Sequence, residues 1–179
     1  MEESRDPCGF RLETGRVINM IENLYRVAIT AVVIKDGKFL ITRRSANKKR
    51  WPLKWTVPGG NLEPADYATL PKDTVDAWYN ALENTLTREV MEEVGLSIKN
   101  VRYLTSIIAE YPDGHALIIS CLADYDSGEV KLQESETDQY AWVTAEEAKK
   151  YELIDGIRDE LVLAEKYLKG DKSGWSRQN

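Results

Sequence analysis

The segment Arg88-Glu89-Val90-Met91-Glu92-Glu93-Val94-Gly95-Leu96 constrains the fold of this chain more than any other stretch. On a helix, its three glutamates at i, i+3 and i+4 share one face, about one turn apart. Like charges at this spacing repel, so the helix is weakened unless a cation neutralises them. Mg²⁺ and Mn²⁺ prefer carboxylate oxygens of this kind, with water and phosphates as further ligands. The segment therefore indicates a metal site that handles phosphates, although a solvated acidic face fits the three glutamates alone equally well.

The residues upstream favour the metal site. Trp55-Thr56-Val57-Pro58-Gly59-Gly60 predicts a short strand that runs into a turn, where glycine permits backbone conformations and close approaches that other residues do not. With Arg88 to Leu96 downstream, this stretch resembles the Nudix box of the Nudix hydrolases: Gly, five residues, Glu, seven residues, then Arg-Glu-apolar-x-Glu-Glu-x-Gly-apolar. The second half matches at every specified position. The order of elements from Tyr25 to Tyr151 is also similar to that of the family.

The first half of the box departs from the family pattern. Counting from Gly60 places its first glutamate at Asp66, whereas counting back from Arg88 places it at Asn80. These positions are 14 residues apart, so we expect an insertion around residues 64–80. Asp66, Glu63 or Glu83 can supply the missing carboxylate, and the sequence leaves the choice open.

The resemblance implies an α/β fold, a Nudix-type α/β/α sandwich with a mixed β-sheet. We expect an N-terminal lead-in at 1–24, in which Val17 to Leu24 is a short helix or irregular. A Nudix hydrolase domain at 25–170 and a polar tail at 171–179 follow.

Hydrophobic periodicity predicts the individual elements. Asp36-Gly37 predicts a hairpin turn, and Gly95 predicts the C-cap of a helix. Strands are predicted at Tyr25–Ile34, Lys38–Arg43, Val101–Glu110, Ala116–Tyr125 and Tyr140–Val143. Helices are predicted at Thr74–Val94, as one long helix or two broken ones, at Ala145–Tyr151 with Thr144 as N-cap, and at Asp155–Leu168.

The family also implies roles for the residues of the box. Glu89, Glu92 and Glu93 would bind the metal, together with the Gly60 carbonyl. Arg88 would orient carboxylates by a bidentate contact rather than touch the substrate. The catalytic base is either a glutamate of the box or an acid in the loop before the last strand, where Glu136 is our choice. The catalytic candidates are therefore Glu92, Glu93, Arg88 and Glu136.

Substrate contacts are predicted from a basic and aromatic cluster between the hairpin and the box. Its cations can meet phosphates, and an indole can stack on a base. The basic run also fits a solvated loop, and Trp55 also fits the core. The cluster contains Arg43, Arg44, Lys48, Lys49, Arg50, Trp51 and Trp55, and the substrate-binding candidates are Arg43, Arg44, Trp55 and Tyr111.

The resemblance implies a Mg²⁺-dependent (or Mn²⁺-dependent) hydrolase that cleaves the diphosphate linkage of a nucleoside triphosphate or a related nucleotide. A pyrophosphatase of ADP-ribose or another nucleoside diphosphate sugar is an alternative. It is favoured by Pro112, 16 residues past Leu96, although Pro112 also begins a Pro-Asp-Gly turn. A catalytically inactive nucleotide-binding module of the same fold is a third possibility, because the first glutamate is displaced.

Composition restricts the remaining classes. At 179 residues with 42% hydrophobic content, the chain suits one globular domain. No apolar run is long enough to span a bilayer, and the net charge of −6 gives no support to general nucleic-acid binding. Two cysteines are too few for a disulfide scaffold, so we expect a reduced, cytoplasmic chain. A homodimer is possible, with the insertion as a lid or a dimer contact.

Overall fold

The computed structural model describes residues 25 to 177, so the predicted lead-in and its Val17–Leu24 segment lie outside the described residues. Within them, the strands are Tyr25–Lys35 (β1), Lys38–Arg44 (β2), Trp55–Thr56 (β3), Gly59–Asn61 (β4), Ser97–Tyr111 (β5), Gly114–Ser127 (β6) and Thr137–Val143 (β7). The helices are Ala81–Val94 (α1) and Ile157–Leu168 (α2), and short 3-10 turns span Pro64–Asp66 and Glu147–Lys150.

Strand β1 organises the sheet, because both of its edges are paired. It runs parallel to β6 over the whole stretch from Tyr25 to Ile34. Its other edge is divided between two antiparallel partners, β2 at Ile34 and β4 from Ala28 to Thr30. The main order is β3-β2-β1-β6-β5, with β7 paired to β2. The sheet is therefore mixed, as the resemblance implies.

The two faces of β1 are buried against different helices. Ile29, Ala31 and Val33 belong to a buried cluster with Leu86, Val90 and Val94 of α1. Val32 points to the opposite face, where Leu161 and Ala164 of α2 complete a second buried cluster. Because successive side chains of a strand alternate between faces, this burial on both sides explains why β1 is apolar throughout. The predicted α/β/α sandwich is confirmed.

Helix α1 ends where the sequence predicts and begins later. Gly95 adopts a left-handed φ of 69°, and its N–H donates to the Met91 carbonyl at 3.0 Å, so the predicted C-cap is confirmed. The prediction of helix from Thr74 onward is wrong, because α1 begins at Ala81. The Thr74 hydroxyl accepts the N–H of Ala77 at 3.0 Å, and this local hydrogen bond competes with the helical pattern.

The insertion around 64–80 folds as an irregular excursion on the surface. It starts with the 3-10 turn at Pro64–Asp66, and Val75 is 86% exposed. Trp78 contacts the Tyr67 ring, with the centroids 5.1 Å apart, and its indole N–H donates to the Leu70 carbonyl. Trp78 therefore makes local contacts of the insertion and Val75 faces solvent, so neither belongs to the apolar face of a helix.

The predicted helix at Ala145–Tyr151 is also wrong, because only the 3-10 turn at Glu147–Lys150 forms. Thr144 still acts as a cap: its hydroxyl accepts the Glu147 N–H at 3.1 Å, and its own N–H donates to the Glu147 carboxylate at 2.9 Å. The last helix spans Ile157–Leu168. Beyond it, Arg177 pairs with Asp155 at 2.8 Å and with Asp159 at 3.3 Å. Among the described helices, none has the length and apolar character needed to cross a membrane.

Two leucines test whether the core lies beneath α1 and not in the insertion. Leu86 is fully buried and Leu70 is 47% exposed. We expect Leu86→Ala to lower the free energy of unfolding by about 2–5 kcal/mol, because it leaves a cavity between α1 and the sheet. Leu70→Ala should change it by less than about 1 kcal/mol. Urea unfolding followed by circular dichroism measures both, and equal losses would contradict this placement of the core.

Candidate active site

The two glycines of β4 bring the sheet into direct contact with the carboxylates of α1. A Cβ added to Gly60 would lie 2.1 Å from the Glu89 carboxylate, so only glycine fits at this position. Gly59 has a φ of +153°, and a Cβ there would lie 2.3 Å from the Ile29 carbonyl oxygen. The Gly59 N–H donates to the Glu93 carboxylate at 3.1 Å. The Pro-Gly-Gly turn therefore contacts two of the glutamates of α1, Glu89 and Glu93.

Arg88 forms ion pairs with three acids of the site, Glu89, Glu92 and Asp66. Its guanidinium lies 3.0 Å from the Glu89 carboxylate and donates to Glu92, four residues on, at 3.0 Å. It also makes a bidentate contact with Asp66, at 2.5 Å from Nε and 3.2 Å from Nη2. The fork geometry of arginine suits this kind of bidentate pairing. The Arg88 guanidinium thus holds three carboxylates, those of Asp66, Glu89 and Glu92, in fixed positions.

Of the three acids that could replace the displaced glutamate, Asp66 is the one that contacts Arg88. Its side chain is only 2% exposed, and it also accepts hydrogen bonds from the Thr85 hydroxyl and the Glu63 N–H, each at 2.9 Å. The hydrogen bonds from Arg88 keep the pKa of Asp66 below its ordinary value. The insertion therefore leaves a carboxylate beside the arginine of the box, delivered by a 3-10 turn.

Glu89 and Glu93 are partly buried, and neighbouring groups of the protein compensate their charge only in part. Burial, with smaller contributions from the nearby carboxylates of Glu89 and Glu136, raises the pKa of Glu93 to about 7, against the Gly59 hydrogen bond. Burial also raises the pKa of Glu89, although Arg88 opposes this. A cation bound between these groups would offset both shifts, because it stabilises the ionised carboxylates.

The donor set fits a hard divalent cation. Among the described residues, no three His, Cys, Asp or Glu side chains are already gathered as a metal-binding group. However, Glu89 and Glu93 lie against Gly59 and Gly60 with raised pKa values, and all of these donors are oxygens. Glu92 is half-exposed and pairs with Arg88. Glu89, Glu92, Glu93 and the Gly60 carbonyl are thus the residues that would hold the ion.

These acids face a cleft made of two adjoining cavities. The first, of about 540 Å³, has charged residues for half of its lining, among them Glu89, Glu92, Glu93 and Arg88. The second, of about 400 Å³, is rich in isoleucine and extends toward the start of α2. Thr30, Gly59 and Glu93 line both cavities. Glu93 therefore lies where the charged cavity meets the apolar one, whereas Glu89 and Glu92 line the charged cavity alone.

The structure brings some of the substrate-binding candidates into the cleft and leaves others outside it. Arg44, Tyr111 and Glu136 line both cavities, and Glu136 forms an ion pair with Lys48. Arg43 makes a bidentate ion pair with Asp138 at 2.8 and 2.9 Å. Trp55 packs on Tyr151, with ring centroids 4.7 Å apart. Arg43 and Trp55 are absent from the described linings of the two cavities.

The structure also shows lining residues that the sequence analysis did not select. Thr42 is fully buried at the apolar cavity, and its hydroxyl has no hydrogen-bond partner among the described residues. Glu160 lies in the same cavity, where it accepts a 2.5 Å hydrogen bond from Ser120 and burial raises its pKa. Arg26 lines the charged cavity, beside Arg50, which the sequence analysis had placed only in the basic cluster. The sequence offered two signals for these residues. Glu160 interrupts the apolar face of α2, and Arg26 lies in a strand that is otherwise largely apolar.

Comparison with known proteins gives one consistent result. The family model described as "NUDIX domain" matches residues 24–164. The NAD-capped RNA hydrolase NudC of Mannheimia succiniciproducens is 40% identical over 116 residues, which cover 65% of this chain and 39% of that protein. The nucleoside triphosphatase NudI of Klebsiella pneumoniae is 28% identical over 150 residues, which cover 74% of this chain and 92% of that protein. The chain spans 23% to 39% of the length of the NudC relatives that it matches first.

A solved structure agrees with the fold. The crystal structure of a MutT protein from Methanosarcina mazei Go1 matches with a TM-score of 0.62 and 25% identity, over 85% of this chain and 99% of that chain. The family model covers well over half of the sequence, including the glycine turn and the acidic helix. The resemblance identified from Arg88 to Leu96 is therefore confirmed, and the chain belongs to the NUDIX domain family.

Proposed function

We propose that this protein is a divalent-metal-dependent hydrolase that cleaves a diphosphate linkage of a nucleotide. One observation carries the proposal: Glu89 and Glu93 lie against the glycine turn with raised pKa values, both in the charged cavity, and Glu93 also lines the apolar one. Such an arrangement costs stability in the absence of a cation. It has a clear use where phosphate oxygens and a metal ion meet.

The chemistry divides between the ion and the residues of the chain. A bound Mg²⁺ or Mn²⁺ supplies charge for the phosphoryl oxygens and lowers the pKa of a water ligand. Glu89, Glu92, Glu93 and the Gly60 carbonyl would hold it, and Arg88 would keep the carboxylates oriented. Glu136 or Glu93 would accept the proton of the attacking water, since both line the two cavities.

The two cavities suit the two ends of a nucleotide. Arg44, which donates to the Arg50 carbonyl at 3.0 Å and lies near Glu93 and Glu136, is placed to meet a phosphate group. The apolar cavity, with Ile107 and Ile118, would accept an uncharged ring, to which the Thr42 hydroxyl can offer a hydrogen bond. The retained Glu89, Glu92 and Glu93 favour this reading over an inactive binding module. A cytoplasmic location and a homodimer stay predictions of the sequence.

The first experiment compares Glu93→Gln with the wild-type protein. Turnover is measured with Mg²⁺, by anion-exchange separation of the nucleotide products, over a panel of nucleoside triphosphates, ADP-ribose and sugar nucleotides. We expect wild-type turnover to require the metal, and Glu93→Gln to lower it by at least about 100-fold, because a metal ligand and a candidate base are lost. Glu129→Gln, at an exposed acid outside both cavities, is the control and should keep full activity. Turnover that survives Glu93→Gln would show that the metal assignment is wrong.

The raised pKa of Glu93 predicts how the metal-free protein responds to pH. Its pKa is about 7 in the folded protein and 4.5 ordinarily, so the folded state binds the proton more tightly than the unfolded state. The stability that protonated Glu93 contributes is therefore lost as pH rises from about 5 to 8. In chelator, Glu93→Gln should become more stable than wild type over this range, by about 1–3 kcal/mol at pH 8. Melting curves at both pH values test this, and a constant difference would contradict it.

Asp66 provides a test of the role of the insertion. We expect Asp66→Asn to lower the free energy of unfolding by about 2–4 kcal/mol, since Arg88 loses its buried partner. Because Arg88 then no longer holds Glu89 and Glu92 in place, Mg²⁺-dependent turnover should also fall. Asp76→Asn, at an exposed acid in the same insertion, is the matched control and should change neither quantity. If the two variants behave alike, Asp66 has no role in the site.

A further inference from the structure

A third cavity, of about 340 Å³, lies between the insertion and the start of α1, apart from the two cavities of the cleft. Three aromatic side chains and two side-chain amides contribute to its lining: Tyr67, Trp78, Tyr79, Asn80 and Asn84. We call this cavity the insertion pocket. It is built mainly by the segment that departs from the family pattern, so the resemblance gives it no role.

Hydrogen bonds within the insertion hold the aromatic residues of the pocket in place. The Trp78 indole N–H donates to the Leu70 carbonyl at 3.0 Å, and the Tyr79 N–H donates to the Asp73 carboxylate at 2.8 Å. The Tyr67 ring packs on that of Trp78. The wall of the insertion pocket is therefore formed without a ligand, which lowers the conformational cost of binding one.

Other groups of the pocket contribute little to the fold. Tyr79 lines a cavity, yet 66% of it is exposed to solvent. Asparagine is a preferred N-cap residue, but the Asn80 side chain makes no cap hydrogen bond to α1. Asn84 is exposed on the same end of the helix. An aromatic side chain and two amides are thus presented to the solvent side of one cavity.

The charge of the insertion pocket favours a neutral ligand. Among the described lining residues, Asp73 is the one charged residue, and its carboxylate accepts the Tyr79 N–H. Aromatic side chains stack on flat heterocycles of any sequence. Asparagine amides both donate and accept hydrogen bonds, which suits the edges of bases. The lining therefore fits an uncharged planar heterocycle and not a phosphate group.

The insertion pocket adjoins the charged part of the cleft. Glu63, at the start of the 3-10 turn, lines the charged cavity, whereas Tyr67, at the end of that turn, lines the insertion pocket. On α1, Asn84 lines the insertion pocket, and Arg88 and Glu92 line the charged cavity. These three residues follow one another at four-residue steps, so they form one row on the helix. The row spans about 12 Å along the axis, which is comparable to the length of an extended nucleoside monophosphate.

We propose that the insertion pocket binds the second heterocycle of a substrate that carries a nucleoside on each side of its diphosphate linkage. This inference rests on the proposed function, because it requires the diphosphate to lie at the acids of α1. One ring would enter the apolar cavity, and the other would stack on Tyr79 with its edge toward Asn80 and Asn84. A nucleoside triphosphate has no second ring for this pocket, and a sugar offers no flat face for stacking.

Binding of non-hydrolysable analogues tests the insertion pocket without turnover. In every probe a methylene group replaces the bridging oxygen of the diphosphate. One probe ends in a free phosphonate, one carries a ribose there, and one carries a second nucleoside, and each is made with adenine, guanine, cytosine and uracil. Titration calorimetry with Mg²⁺ should show that wild type binds a two-nucleoside probe at least about tenfold more tightly than its two partners, through the stacking of one base.

Tyr79→Ala and Asn84→Ala should each lower this preference, to about threefold or less for Tyr79→Ala. Neither variant should lose its fold, since Tyr79 is exposed and alanine is the best helix former at the Asn84 position. Melting curves check this. The control is Tyr103→Ala, at a tyrosine of β5 that is 62% exposed and absent from the described linings of the insertion pocket and of both cleft cavities. It should keep the wild-type preference.

Four outcomes would each overturn the subsite. They are no wild-type preference for the second nucleoside, equally tight binding of the ribose probe, a preference that survives in both Tyr79→Ala and Asn84→Ala, and an equal loss in Tyr103→Ala. Hydrolysis is measured separately, with Glu93→Gln. Turnover without the binding preference removes the subsite and leaves the proposed function standing, whereas an intact preference without turnover leaves the subsite standing.

Discussion

The contact between Arg88 and its carboxylates is the interaction on which the site depends. Three glutamates within two turns of α1 repel one another, and two of them are also partly removed from water, which raises their pKa values. Arg88 offsets this with one guanidinium that contacts Glu89, Glu92 and the buried Asp66. Without Arg88, both the repulsion between the carboxylates and their burial would disfavour the ionised glutamates. Helix α1 can keep its acidic face because Arg88, which partly neutralises it, lies in the same turn.

The glycine turn supplies the second constraint, which is steric. Gly60 lies so close to Glu89 that no side chain fits between them, and Gly59 lies equally close to the Ile29 carbonyl on β1. This packing is possible because β1 divides one edge between β2 and β4. The short β4 therefore lies between the centre of the sheet and α1. As a result, the backbone of Gly59 and Gly60 faces the carboxylates of α1, where a longer, fully paired strand would place side chains.

The sequence predicted the parts of the molecule that local rules determine. The hairpin at Asp36-Gly37, the cap at Gly95 and the acidic face of α1 follow from backbone conformation and helical spacing. The start of α1 was misplaced because Val75 and Trp78 repeat at helical intervals, but Val75 is exposed and Trp78 makes its contacts within the insertion. The choice of Asp66 needed the structure, since it depends on where a 3-10 turn meets Arg88. Arg26 and Arg50 are 24 residues apart in the sequence, and only the sheet register brings both to Asp113.

The charged side chains of the cleft are largely paired with one another. Lys48 holds Glu136, Arg88 holds Glu89 and Glu92, and Asp113 holds Arg26 and Arg50. A metal ion and a substrate would therefore bind by exchanging partners and not by filling a site of a single charge. Exchange lowers the net gain in affinity, because each internal ion pair must first be broken. It also favours ligands that satisfy both halves of a broken pair, so selectivity comes from the arrangement of charges along the cleft.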